Sequence, residues 1–160
     1  MPKGSKPPAV GRYRIELLSP ELAVIAYPVV AAAYPAVGFE RWQGYARTAA
    51  AAPPELSGVL GLRADAGYFC GLLVYRNDRE PWHKPRLSVE LFVALDVIDE
   101  RTAIDALIAA AEAKAAALAC PTVQVRIERA SDLVNRIRQA GYRPVGELMA
   151  KEIPATTKIN

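Results

Sequence analysis

Glu90 stands inside Leu87–Leu95 (LSVELFVAL), a nearly continuous apolar run in which it is the one acid. A carboxyl group held in an apolar strand has its pKa raised toward values useful for proton transfer near neutral pH. A second reading makes Glu90 an outward-facing strand residue paired with an arginine, because carboxylates are also perturbed for purely structural reasons. Cys70 lies in an apolar run and Cys120 just before Pro121, so both read as small buried hydrophobes and no metal site is expected. His83 has no His or Cys at ligand spacing, and the chain has no Gly-x-Ser-x-Gly turn, which argues against zinc and against a Ser-His-Asp hydrolase. Trp82-His83-Lys84, flanked by prolines, is either a recognition surface or a ring folded over a hairpin end. Arg126, Arg129, Arg136, Arg138 and Arg143 form either an anion site or a solvated face with Glu128 and Glu147 nearby.

These residues need elements to position them. Tyr13–Leu17 alternates apolar and charged residues, the pattern of a half-buried strand. Ser19 then caps a helix that has Pro20 at its first position and Leu22, Ile25, Ala26 and Val29 at helical spacing; Pro28 kinks or ends it, with the boundary near Val30–Ala33. Phe39–Ala52 is a second helix with Trp42, Tyr45 and Ala49 along one side. Ser57–Arg63 and Tyr68–Asn77 form an antiparallel hairpin around the turn Ala64–Gly67, and Leu87–Leu95 is a central strand. Asp96–Ala119 is a long helix with Ile104, Leu107, Ile108, Ala111, Ala115 and Leu118 on one face. Thr122–Ile127 is a strand. A short helix follows from Ser131/Asp132 to Ala140, with Gly141 as its left-handed terminator, and Glu147–Ile153 is a closing strand.

Length and composition bound the rest. The 160 residues suit one domain, expected over residues 12–153, with a Pro- and Lys-containing arm at 1–11 and a tail at 154–160. Hydrophobic residues are 52% and charged residues 23% of the chain, as in globular proteins. The net charge is +3, and Lys3, Lys6, Arg12 and Arg14 supply four of the positive charges, so the body is near neutral. That removes the electrostatic case for nucleic acid or an anionic membrane as partner. With no apolar run of membrane-spanning length and no apolar secretion signal, the expected location is cytoplasmic.

The order of elements resembles that of the GNAT superfamily of acyl-CoA-dependent N-acetyltransferases. Gln139-Ala140-Gly141-Tyr142-Arg143-Pro144-Val145-Gly146 is similar to the family's late helix exit and following strand. Met149-Ala150-Lys151-Glu152-Ile153 is similar to its closing strand, and Val89-Glu90-Leu91-Phe92-Val93 to its fourth strand. The resemblance implies an α/β fold with a mixed, mostly antiparallel sheet of six or seven strands and about four helices. It also implies acetyl-CoA as cofactor, held along Phe92 and Val93 with Arg101 toward its diphosphate, and Glu90 as the residue that deprotonates a small-molecule or protein amine. Tyr34, Pro35, Phe39 and Trp42 fall where the family admits its acceptor, although their spacing fits core packing equally.

The chain departs from the family pattern in two places. The stretch Leu95–Ile104 contains no glycine where the family has a Gly-rich diphosphate turn, and Asp96, Asp99 and Glu100 crowd the start of the long helix, where they can cap it internally. Ile137 occupies the position of the family's general-acid tyrosine, and Tyr142 is expected to pack in the core. A noncatalytic binding or self-association module on the same fold is the alternative function. An edge strand at either end of the sheet offers a place for a homodimer.

Overall fold

The computed structural model describes residues 12–96, 99–128 and 132–155. The expected arm at 1–11, the loop residues Val97 and Ile98, Arg129, the Ser131 cap and the end of the expected tail lie outside the described residues. Five strands form one sheet in the order β1 (Tyr13–Leu17), β2 (Ser57–Ala64), β3 (Phe69–Asp78), β4 (Arg86–Ala94), β5 (Thr122–Val125). The first four make an antiparallel meander. Between β4 and β5 the chain crosses over through α4 (Glu100–Ala117), so that pair is parallel.

Five strands replace the six or seven expected. The missing one is Glu147–Ile153, which makes no ladder and lies exposed beyond α5 (Asp132–Gln139). Strand propensity reports how a side chain fits a pleated surface beside a partner, and here no described strand lies beside the segment.

Ser19 caps α1 (Pro20–Ile25) as expected, its Oγ accepting from the Leu22 N–H at 3.2 Å. The helical stretch breaks at Ala26, and Pro28 falls in the first turn of α2 (Tyr27–Ala33), where its missing N–H leaves no bond unmade. Counted as one bent helix, α1 and α2 bring the total to the expected four, with α3 (Phe39–Ala51), α4 and α5. The long helix begins later than the sequence suggests, because Asp99 and not Asp96 is its N-cap.

The sheet separates two cores. On the α4 side Leu62, Leu73, Leu87, Val89 and Phe92 meet Ala103, Leu107 and Ala111. On the α1–α3 side Leu18, Val59, Leu72, Val74 and Val93 meet Ala23, Val30, Trp42 and Ala46. The small alanines of α4 let the helix lie close against the sheet. Gly71 of β3 serves the same end, since a Cβ there would stand 2.9 Å from the Val93 carbonyl oxygen and 3.0 Å from Leu107 Cδ1.

Candidate active site at the β4 bulge

The register of β3 with β4 jumps at one point: Val74 opposes Leu91 while Tyr75 opposes Val89. Glu90 is the extra residue of a β-bulge. A bulge resets the alternation of side chains and bends the strand. Leu87 and Val89 face the α4 core before it; after it Phe92 takes that face, and Leu91 and Val93 turn to the α1–α3 core.

The pairing of β4 with β5 ends at the same place. Its register runs from Arg86 opposite Thr122 to Val89 opposite Val125, closed by a bond from the Arg126 N–H to the Val89 carbonyl at 3.1 Å. From Glu90 to Ala94 no described strand lies beside β4 on that edge, so a notch opens with Glu90 at its head. Phe92 and Val93 are buried in opposite cores, and what they offer the notch is backbone.

Glu90 is 31% exposed at its side chain and divides its oxygens between two partners. Arg76 Nη1 lies 2.8 Å from Oε1, and the Tyr45 hydroxyl of α3 donates to Oε2 at 2.8 Å. Partial burial and the bond to the carboxylate both push the Tyr45 phenol well above its ordinary value, with Arg76 and Arg126 opposing. Of the two readings of Glu90, the structure shows the outward-facing residue paired with an arginine: the bulge carries it to the rim, where Arg76 meets it. Tyr45 and Arg76 were missed as site residues. The available signal was Tyr45's place three residues after the buried Trp42, a hydroxyl-bearing ring at the edge of the helix's core face.

At the other end of the notch the acids are turned inward. Tyr13 donates a short hydrogen bond to Asp96, which is buried, and its hydroxyl also lies 3.3 Å from the Asp99 carbonyl. Burial and the Asp96 carboxylate raise the Tyr13 phenol strongly. Asp99 accepts from the Thr102 hydroxyl at 2.6 Å and from the Thr102 N–H at 3.1 Å, and these bonds hold its carboxyl below the usual range. Arg101 is exposed in the first turn of α4.

The remaining candidates fall elsewhere. Cys70 and Cys120 are free and buried, with burial raising the Cys70 thiol to about 11. Trp42 is core, its indole N–H donating to the Ala23 carbonyl at 3.0 Å, while Phe39 is exposed against Tyr27. Trp82 is 75% exposed, edge-on to His83, which contacts Glu80 at 2.7 Å. Arg136 is tied to Asp105 of α4, whereas Arg138 and Arg143 are exposed. Ile137 is buried, and Tyr142 packs on the α4-side core with its hydroxyl donating to Glu112 at 3.2 Å.

No protein-family model matches the sequence. No curated protein matches it. Solved structures do match. The aminoglycoside N-acetyltransferase AAC(6')-Iy in complex with CoA superposes with a TM-score of 0.72 at 14% identity, over 97% of this chain and 99% of that one. A ribosomal-protein-alanine N-acetyltransferase from Brucella melitensis gives 0.65 at 19% identity, over 91% and 100% of the two chains. Glucosamine-6-phosphate N-acetyltransferase from Arabidopsis thaliana gives 0.66 at 9% identity, over 89% and 99%. With a meander crossing over into a parallel fifth strand, a bulged fourth strand and these superpositions, the chain has the fold of the GNAT superfamily of N-acetyltransferases.

Proposed function

We propose that this protein is an N-acetyltransferase that moves the acetyl group of acetyl-CoA to the amine of a small molecule or protein. The observation that carries the reading is the notch: β4 outruns β5 by the five residues Glu90–Ala94, and the acid Glu90 stands where the strands part. The pantetheine arm lies along the backbone of Phe92 and Val93. The acceptor amine attacks the thioester carbonyl, a C–N bond forms, the C–S bond breaks, and the amine's surplus proton passes to Glu90 directly or through one water. The thiolate leaves and takes a proton from solvent, since the buried Ile137 offers none.

Arg101 supports the diphosphate end as a cation on the first turn of α4. The inward turn of Asp96 toward Tyr13 reduces the repulsion that three acids at this helix start would otherwise create. The superposed AAC(6')-Iy, described in complex with CoA, supports the same class of co-substrate.

Acetyl-CoA at about a hundred times its Kd adds roughly 2.7 kcal/mol to the folded state, a rise of roughly 5–11 °C in Tm for a chain of this size. A melting curve unmoved at millimolar acetyl-CoA would sink the proposal and leave the noncatalytic module.

A further inference from the structure

Val123, Val125 and Ile127 pack on the α4-side core, so the residues between them, Gln124 and Arg126, turn to the opposite face of the sheet, the side of α1–α3. No described residue of β5 joins the α1–α3 core, and that layer leaves Arg126 exposed. The Arg126 N–H closes the β4–β5 pairing on the Val89 carbonyl at 3.1 Å, one step beyond the Val89–Val125 pair, which sets Arg126 across from Glu90. Glu90 turns to the same face, where it meets Tyr45 of α3.

The two arginines beside Glu90 differ in what they have left to offer. Arg76 is shared between two acids, Nη1 on Glu90 at 2.8 Å and Nε on Asp78 at 2.7 Å. Arg126 forms no ion pair among the described residues, not even with Glu128 two positions on. The charges of Arg76 and Arg126 both oppose the rise of the Tyr45 phenol, in keeping with both guanidiniums standing on the Tyr45 side of the sheet. An ammonium approaching Glu90 therefore meets a carboxylate that is already paired and a guanidinium that is not. A plain cation adds a like charge beside Arg126, whereas a molecule with its own anion next to the nitrogen answers both groups.

We infer that the acceptor is a small zwitterionic amine, with a carboxylate or phosphate within a few bonds of its nitrogen, and that Arg126 binds that anion and sets the specificity. The inference rests on the acetyl transfer proposed at Glu90. Neighbouring strands lie roughly 4.8 Å apart, so a nitrogen held at Glu90 and an anion held at Arg126 belong to one small molecule. The planar guanidinium presents two parallel donors, a fork that fits carboxylate and phosphate alike.

Thiol release from acetyl-CoA by the full chain is compared on two pairs of acceptors, alanine against alaninamide and O-phosphoethanolamine against ethanolamine. The anionic member of one pair is expected to lead by about 10–100-fold in kcat/KM, the worth of a hydrogen bond to a charged group, and the pair that shows the lead tells carboxylate from phosphate. Arg126→Gln is expected to reduce that ratio by a similar factor through KM, with kcat held within about twofold, a change that amine basicity, the same for both enzymes, does not produce. Arg126→Glu is expected to reverse the order within the pair, and because Arg126 is exposed both variants should melt with wild type. Equal rates within both pairs, or a ratio untouched by Arg126→Gln, overturn the inference and leave acetyl transfer standing. Release from none of the four amines while acetyl-CoA still raises the Tm overturns it too. If acetyl-CoA leaves the Tm unmoved, the transferase reading falls first and takes this one with it.

Discussion

In the proposed reaction Glu90 would accept a proton only through lone pairs left over from its two partners, so Arg76 and Tyr45 would govern where the amine must stand to deliver one. Arg76 and the Tyr45 hydroxyl each take one oxygen at 2.8 Å, which fixes the carboxylate plane and leaves the second lone pair of each oxygen open. Glu90→Gln keeps the shape and removes the basic oxygen pair; thiol release from acetyl-CoA across a panel of amines is expected to fall about 10²–10⁴-fold in kcat. In that reaction Tyr45 would act through Glu90, as a positioning residue. Tyr45→Phe is expected to lower kcat about tenfold, the scale of one hydrogen bond to a charged group, while KM for the amine stays within about twofold. Tyr45 is 43% exposed, so its melting temperature should hold, and a variant that loses stability and KM together would mark a merely structural ring. Full activity in Glu90→Gln would remove this acid from the reaction.

At the scale of elements, α4 closes in a way that the sequence does not advertise. Leu118 is its C-cap, and Ala119 follows at φ +55°, the left-handed position that glycine usually fills. The Cys120 N–H reaches back to the Ala115 carbonyl at 2.8 Å and the Ala119 N–H to Ala116 at 3.2 Å, the paired bonds of a Schellman closure. An alanine pays a steric penalty there that glycine avoids, partly offset by glycine's freer unfolded chain. Ala119→Gly is expected to stabilise the protein by about 0.5–1 kcal/mol, read as a higher midpoint in urea with an unchanged slope. A lower midpoint would show that Ala119 relieves its strain in some other way. The comparison with α5 shows why some endings are legible: Gly141, at φ +98°, announces its turn by residue type, and Ala119 does not. The same contrast runs through the fold. The apolar face of α4 and the Ser19–Pro20 helix start are local patterns and were readable. The β4 bulge was not, because an apolar run buried on both faces reads alike in either register. Tyr45 and Glu90 are 45 positions apart and meet only once α3 lies on the sheet. The sixth strand was readable as a strand-forming segment but not as an unpaired one, since pairing depends on what lies beside it.

For the whole molecule, acid sensitivity is expected where β3 and β4 are clasped by Asp78, through the same Arg76 that holds Glu90. Asp78 is buried, accepts from Arg76 Nε at 2.7 Å and from the Ser88 hydroxyl, and lies 3.6 Å from Arg86 Nε. Burial alone would raise its carboxyl, but the bonds from Arg76 and Ser88 and the two arginine charges outweigh burial and hold it below the usual range. The sign follows from linkage. A carboxyl depressed in the folded state contributes all its stability above the unfolded value, about 3.9, and loses it as pH falls through the folded value. Asp99, lowered by its bonds to Thr102, adds in the same direction from a half-buried position. No described helix is long and apolar enough to cross a membrane. Asp78→Asn is expected to cost about 2 kcal/mol at pH 7, the worth of hydrogen bonds to a charged group, or roughly 4–8 °C in Tm. Wild type should lose that advantage progressively below about pH 4, so that the two curves converge near the folded-state pKa of Asp78. A gap that stays constant from pH 7 to pH 2 would mean the loss in Asp78→Asn is one of packing, and that the ion cluster contributes nothing to acid sensitivity.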